Sequence, residues 1–124
     1  GHHLDDAVET YLMSIFYSGQ LKTLQPSRYL SESEVEIIRP LIYLREKTII
    51  NEIDKRKILI KKSSCPYDGN SARAQVRNDF AKYFNNKQLF ANLISAMREK
   101  DNRELWPQKE DFQLISRKMK EYWK

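Results

Sequence analysis

The sequence predicts an all-α fold, a single compact bundle of five or six helices, and three observations lead to this prediction. Apolar residues recur at intervals of three and four positions through most of the 124 residues. Only three glycines are present, too few for the regular turns of a β-sandwich or a barrel. Residues typical of helix starts and ends flank the apolar segments.

Residues 4–124 are interpreted as one helical domain, a fragment of a larger protein. A chain of this length can bury a core without disulfides or metal ions. Gly1, His2 and His3 have the composition of an expression-tag remnant and are set aside. The single cysteine, Cys65, and the lack of a long apolar run predict an intracellular protein, nuclear or cytoplasmic, with no membrane contact.

The first helix is predicted over residues 4–17. Asp5 and Asp6 lie in its first turn, where the helix dipole favours negative charge. The dipeptide Ser18-Gly19 is predicted to end it, because glycine readily adopts the left-handed conformation of a C-terminal cap. The apolar positions with helical spacing are Leu4, Ala7, Val8, Tyr11, Leu12, Ile15 and Phe16.

A long second helix is predicted over residues 31–62. Residues 31–34, Ser-Glu-Ser-Glu, have the pattern of a capping box, and Leu30 with Val35 fits the accompanying hydrophobic staple. Pro40 lies inside this segment and removes a backbone donor. It predicts a kink in one helix or a break between two helices, the second of which begins at Pro40. Residues 57–61 fit either a continuation of the helix or a short strand.

Three more helices are predicted in the second half of the chain. The first covers residues 71–84, the next begins after Asn85-Asn86 and ends at Asp101-Asn102, and Pro107 opens the last. Residues 63–70 contain Pro66 and the turn sequence Asp-Gly-Asn, and they are predicted to form a loop between the two halves.

The sequence contains no motif expected of an enzyme. It has no glycine-rich phosphate loop, no dinucleotide fingerprint and no calcium-binding loop. The histidines belong to the presumed tag, and a lone cysteine provides neither a zinc site nor a nucleophile with a base. We therefore predict no catalytic residue, no metal, no cofactor and no small-molecule substrate.

Charge is distributed unevenly along the chain. Residues 1–54 carry five Lys/Arg against nine Asp/Glu, a net of −4, so the remaining residues carry +9 of a whole-chain charge of +5. Basic side chains on helix faces can neutralise phosphates, although a solvated face that maintains solubility explains the same pattern. The predicted nucleic-acid-binding residues are Lys109, Arg117, Lys120 and Lys124 on the last helix and Arg73 and Arg77 on an earlier one.

Two further features predict contacts with other protein subunits. Lys55, Arg56 and Lys57 form the densest basic cluster, which fits a helix-end surface and a partner-binding patch equally well. Trp106, beside Pro107, is predicted either to cover the core or to anchor a partner.

These observations favour a non-catalytic helical interaction module of an intracellular assembly, with a basic C-terminal half that contacts nucleic-acid phosphates. The first alternative is a protein–protein interaction or dimerisation domain with no nucleic-acid contact. The second is an accessory domain of an enzyme whose active site lies outside these residues.

Overall fold

Five α-helices and a β-hairpin make up the described part of the chain. The structure, a computed structural model, describes residues 1–60, 72–107, 117 and 120. A π-helical turn, Ser14–Ser18, extends the first helix. None of the described helices has the length and apolar character to span a membrane. In chain order the elements are α1 (Leu4–Met13), β1 (Ser27–Leu30), β2 (Val35–Ile38), α2 (Glu46–Arg56), α3 (Ala72–Asp79), α4 (Ala81–Phe84) and α5 (Lys87–Ala96).

The predicted first helix is confirmed by α1 and the π-helical turn. Gly19 ends it in the left-handed conformation with a φ of 62°, as the sequence predicts. His3 caps the N-terminus of α1. Its side chain accepts a hydrogen bond from the backbone N–H of Asp6, and the backbone N–H of His3 donates to the Asp6 carboxylate. The apolar face of α1 is buried as predicted as far as Leu12, whereas Phe16 is 58% exposed.

The hairpin contradicts the predicted all-α fold and the helix expected to begin at residue 31. β1 and β2 pair antiparallel, with Leu30 opposite Val35 and Ser27 opposite Ile38. Residues 31–34 form the loop between the strands, and Glu34 adopts a left-handed φ of 52°. The predicted contact between Leu30 and Val35 fits either structure, because a hydrophobic staple and a hairpin loop both bring these positions together.

Pro40 explains why a strand is formed in place of the predicted helix. The residue before a proline avoids helical dihedrals, so a helix from residue 31 would have fewer than ten residues. Helices this short are marginal by themselves, and Val35, Ile37 and Ile38 are types that favour strands. Neither a kinked helix nor a helix beginning at Pro40 is observed: residues 40–43 form a turn, and α2 begins at Glu46.

The ends of the other helices differ from the predictions in detail. α2 ends at Arg56, so residues 58–60 are neither helix nor strand. The helix predicted over 71–84 is divided at Phe80, whose φ of −111° and ψ of 18° are not helical. α5 begins after Asn85-Asn86 as predicted, with Asn86 as its N-cap, but it ends at Ala96, before the predicted stop. The loop at 63–70 and most of the last predicted helix lie outside the described residues.

Trp106 is 1% exposed and closes one side of the core. Its backbone N–H donates to the carbonyl oxygen of Met97 (2.8 Å), and its indole Nε1–H donates to that of Leu24 (2.8 Å). The ring of Tyr43 packs edge-on against it at 5.4 Å, and burial raises the pKa of Tyr43 to about 12. Trp106 therefore covers the core, the first of its two predicted roles, and its indole is not available at the surface to anchor a partner.

Candidate nucleic-acid interface

A network of carboxylates and guanidinium groups joins α1, α2 and α3. Glu9 on α1 is fully buried, and its two oxygens accept from Arg73 (3.4 Å) and Arg77 (2.5 Å) of α3. Arg77 also forms an ion pair with Glu46 of α2 (3.1 Å). The hydrogen bond that Arg77 donates to Glu9 raises the pKa of Arg77 against the opposing effect of burial. A buried carboxylate requires such pairing, since an unpaired charge in the core is strongly unfavourable.

Asp5 fixes the start of α2 against the start of α1. Its carboxylate accepts from Arg45 through Nε (2.8 Å) and Nη2 (3.3 Å), and from the backbone N–H of Glu46 (3.1 Å). Burial by itself raises the pKa of Asp5, but the hydrogen bonds from Arg45 and Glu46 and the charge of Arg45 outweigh it and lower the pKa. Arg45 also donates to the carbonyl oxygen of Phe84 (2.9 Å) and lies 3.6 Å above the centre of the Phe90 ring.

Arg45 lies at the centre of an open depression between α2 and the α4–α5 pair, which we call the basic cleft. Its larger part has a volume of about 450 Å³ and a smaller part of about 240 Å³ lies on the side of α3. Lys47 lines both parts, and Lys87 lines the larger one. Phe84 and Phe90 form an apolar floor beneath these cations.

The charge at the rim of the basic cleft faces solvent. Lys47 and Lys87 are exposed, and within the described residues no carboxylate oxygen lies within 4.0 Å of either ammonium group. Arginines beneath the rim are neutralised by Asp5, Glu9 and Glu46, so the two lysines contribute most of the positive charge that a ligand meets. An open groove with exposed ammonium groups can contact the phosphates of a nucleic acid.

The sequence did not indicate Lys47 and Lys87 as site residues. They lie forty positions apart in elements that meet only after folding, and neither belongs to a motif or a basic run. Arg45 was not selected either, because a single arginine before a helix has no distinctive pattern.

The residues predicted to bind nucleic acid lie in different environments. Arg73 and Arg77 belong to the network around Glu9. Arg117 and Lys120 are helical and exposed, whereas Lys109 and Lys124 lie outside the described residues. The structure does not test phosphate binding by any of these six residues, which stays a prediction.

The basic cluster predicted to bind a protein partner ends α2. Lys55, Arg56 and Lys57 are exposed, Arg56 pairs with Glu52 one turn earlier (3.1 Å), and Lys57 forms the left-handed C-cap with a φ of 54°. These features suit a helix end, and a contact with a partner there stays a prediction.

The two histidines take part in the fold. Besides the cap formed by His3, His2 accepts a hydrogen bond through Nδ1 from Nε of Arg39 (3.2 Å). Burial and the nearby charge of Arg39 lower the pKa of His2, which favours the neutral imidazole at neutral pH. Residues 1–3 were set aside because of their composition. The position of His3 directly before the first predicted helix was the signal that it could act as the N-terminal cap.

Comparison with known proteins relates the chain to enzymes that act on tRNA. The family model described as PP-loop domain matches residues 1–83, which include Gly1, His2 and His3. A tRNA-cytidine(32) 2-sulfurtransferase of Coxiella burnetii (strain RSA 493 / Nine Mile phase I) is 34% identical over 101 residues, 78% of this chain and 39% of the relative. No solved structure matches the chain.

Two further relatives carry the same name. The protein of Geobacter sulfurreducens (strain ATCC 51573 / DSM 12127 / PCA) is 41% identical over 69 residues, 56% of this chain and 27% of the relative. That of Aliivibrio fischeri (strain MJ11) is 40% identical over 78 residues, 62% of this chain and 25% of the relative. The chain thus spans about two fifths of the length of the Coxiella relative and less of the other two.

These matches correct the functional predictions made from the sequence. The sequence was predicted to encode a non-catalytic interaction module or a pure scaffold, and not an enzyme. These predictions are contradicted, because the relatives are named as enzymes. The absence of a small-molecule substrate is contradicted by the match to an ATP-binding family. The all-helical fold is contradicted a second time, since the PP-loop domain is an α/β fold. With 83 of its 124 residues matched, the chain belongs to the PP-loop domain family.

Proposed function

We propose that this chain is part of an ATP-dependent enzyme that transfers sulfur to a cytidine of tRNA, and that the basic cleft contacts the phosphates of that tRNA. The reaction is suggested by the relatives, which are named tRNA-cytidine(32) 2-sulfurtransferase. The RNA contact rests on one observation: Lys47 and Lys87 face solvent across a single groove. Phosphate contacts of this kind position a nucleic acid without reading its sequence.

The basic cleft itself does not fit the triphosphate of ATP. The first turn of α1 carries Asp5 and Asp6, and the first turn of α2 begins with Glu46. These carboxylates oppose the attraction that helix N-termini otherwise offer to phosphate groups. The backbone N–H of Glu46, which could donate to a bound anion, already donates to the carboxylate of Asp5. We therefore assign no step of ATP chemistry to the described residues and reserve the basic cleft for RNA.

The predicted nucleic-acid-binding residues fit this proposal to different degrees. Arg117 and Lys120 are exposed on a helical segment and add phosphate contacts, together with Lys109 and Lys124. Arg73 and Arg77 contribute indirectly, because they fix α3 against the wall of the basic cleft. Action on tRNA also implies an intracellular location for the protein.

The modified nucleoside in cellular tRNA tests the proposal. The gene for this chain is deleted, the total tRNA is digested to nucleosides, and 2-thiocytidine is quantified by mass spectrometry. We expect the nucleoside to disappear on deletion and to return when the intact gene is restored. A gene with Lys47→Gln and Lys87→Gln restores less of it, because tRNA binds more weakly.

A matched variant separates the effect of the basic cleft from a general loss of charge. Lys22→Gln with Lys100→Gln removes the same charge from exposed lysines that do not line the basic cleft, and it is expected to restore normal 2-thiocytidine. Unchanged 2-thiocytidine in the deletion strain would exclude the proposed reaction. Equal effects of the two double variants would exclude the basic cleft as the contact surface.

A further inference from the structure

An apolar groove lies between α1 and the α4–α5 pair. It has a volume of about 340 Å³, at the small end of the range for ligand pockets. We call it the aromatic groove, because the rings of Phe80, between α3 and α4, and of Tyr83 on α4 border it. The residues that line it are Leu12, Phe80, Tyr83, Leu89, Asn92 and Leu93.

The rings at the aromatic groove form a continuous series that reaches solvent. Phe16 stacks on Phe80 with ring centres 5.3 Å apart and planes inclined by 22°. The ring of Phe80 lies 5.7 Å from that of Tyr83. Phe16 is 58% exposed, and burying a side chain of this size would be favourable. Phe80 and Tyr83 are half-buried and border the groove, and aromatic rings in such a position offer stacking surfaces to a planar ligand.

Two polar groups accompany the rings. The ammonium of Lys82 lies 5.0 Å from the centre of the Tyr83 ring, and within the described residues no carboxylate oxygen lies within 4.0 Å of it. Asn92 is the polar side chain among the residues lining the aromatic groove. Its Oδ1 accepts from Gln88 (3.0 Å), and its amide N–H groups can donate to a ligand.

We propose that the aromatic groove binds one unpaired nucleotide of the tRNA. The base stacks on Tyr83 and Phe80, the amide of Asn92 donates to an acceptor on the base edge, and Lys82 meets the adjacent phosphate. This inference rests on the proposed function and adds to it the kind of RNA that is recognised. Proteins read unpaired RNA in this manner, with aromatic rings for the bases and cations for the backbone.

The composition of the aromatic groove favours a nucleotide over a protein segment. An apolar side chain of a partner protein would have no use for an unpaired ammonium at the rim or for an amide within the groove. A nucleotide uses both, because it combines a planar apolar face with polar edges and a negative charge. Since α4 contributes Tyr83 to the aromatic groove and Phe84 to the basic cleft, one RNA strand can contact both sites.

Binding of tRNA to the full-length protein tests this assignment, with fluorescence anisotropy at several salt concentrations. Tyr83→Ala is expected to raise the Kd for tRNA by about fivefold or more, the range measured for loss of one stacked base. Tyr83→Phe retains the ring and should bind like the wild type. Lys82→Gln should lower the slope of log Kd against log salt by about one, because one phosphate contact is lost, whereas Tyr83→Ala leaves the slope unchanged.

A fully paired RNA duplex is the second ligand. Tyr83→Ala should not weaken binding to the duplex, since its bases are not accessible for stacking. The inference is overturned if Tyr83→Ala binds tRNA like the wild type, or if it weakens tRNA and duplex equally. It is also overturned if the variant changes the oligomeric state in light scattering with tRNA binding intact, because the groove then joins two copies.

Misfolding is controlled with Asn92→Leu, which removes the amide and leaves the aromatic rings of the groove in place. This variant should have the wild-type circular dichroism spectrum and melting temperature but weaker binding to unpaired RNA. Wild-type affinity in this variant would count against the inference. The test of the aromatic groove is independent of the test of the proposed function. Loss of 2-thiocytidine on gene deletion establishes the reaction whether or not Tyr83 contacts a base.

Discussion

Glu9 shows how a single buried charge determines the packing of two helices. It is fully buried on α1, and its partners Arg73 and Arg77 both come from α3. The apolar spacing of α1 predicts a buried face that includes Val8 and Leu12 but gives no reason to bury a carboxylate beside them. Arg73 and Arg77, which were predicted to bind phosphate, have side chains that are 34% and 43% exposed. Their guanidinium groups neutralise Glu9.

We predict that Glu9→Gln lowers the free energy of unfolding by about 2–3 kcal/mol, because hydrogen bonds to a charged group are lost and two guanidinium groups each lose one of their counter-ions. Glu52→Gln is the control. It removes the same charge from an exposed pair with Arg56 and should cost less than about 1 kcal/mol. Urea denaturation measures both. Similar losses in the two variants would show that the Glu9 network does not stabilise the packing of α1 on α3.

Asp5 makes the stability of the fold dependent on pH. Its pKa is lowered from the ordinary value of 3.8, so between the two values the unfolded chain binds a proton that the folded chain does not. The stabilisation is therefore complete above pH 3.8 and is lost as the pH falls through the folded-state pKa. We expect the difference in unfolding free energy between wild type and Asp5→Asn to shrink below pH 3.8. A difference that stays constant to pH 2 would contradict this role of Asp5.

At the scale of elements, the β-hairpin and α2 show where local sequence patterns were insufficient. The spacing from Val35 to Ile53 suggested a helical segment that is kinked or broken at Pro40, yet the segment contains a strand, a turn and a shorter helix. Pro40 separates these elements, and the pairing of β2 with β1 supplies the backbone hydrogen bonds that the short helix would have made. Helical spacing could not reveal the hairpin, because the stability of a strand depends on the residues opposite it in the paired strand as well as on the residues next to it in the sequence.

The end of α2 provides a test at the same scale. Lys57 has a φ of 54°, a conformation that is unfavourable for residues with a side chain and accessible to glycine. We predict that Lys57→Gly raises the free energy of unfolding by about 0.5–1 kcal/mol. Lys55→Gly, within the last helical turn, should lower it by a similar amount. Thermal unfolding distinguishes the two, and a loss of stability in both would contradict the left-handed cap.

At the scale of the whole molecule, features based on contiguous residues were predictable and features based on distant residues were not. α1, its glycine cap and the start of α5 after Asn85-Asn86 follow from neighbouring residues, and the structure confirms them. The basic cleft depends on Lys47 and Lys87, which approach each other only because Asp5 and Arg45 fix α2 against α1. The relation to enzymes was missed because the sequence contains none of the catalytic motifs considered above, and it was found through similarity to longer relatives that are named as enzymes.

The central claim is that the basic cleft and the aromatic groove face tRNA, and ultraviolet cross-linking tests it most directly. The full-length protein is irradiated with tRNA, and the peptides that carry nucleotide adducts are identified by mass spectrometry. We predict adducts on Tyr83 and on the peptides that contain Lys47, Lys82 and Lys87. Adducts confined to the β-hairpin at residues 27–38, with none on these peptides, would contradict the claim.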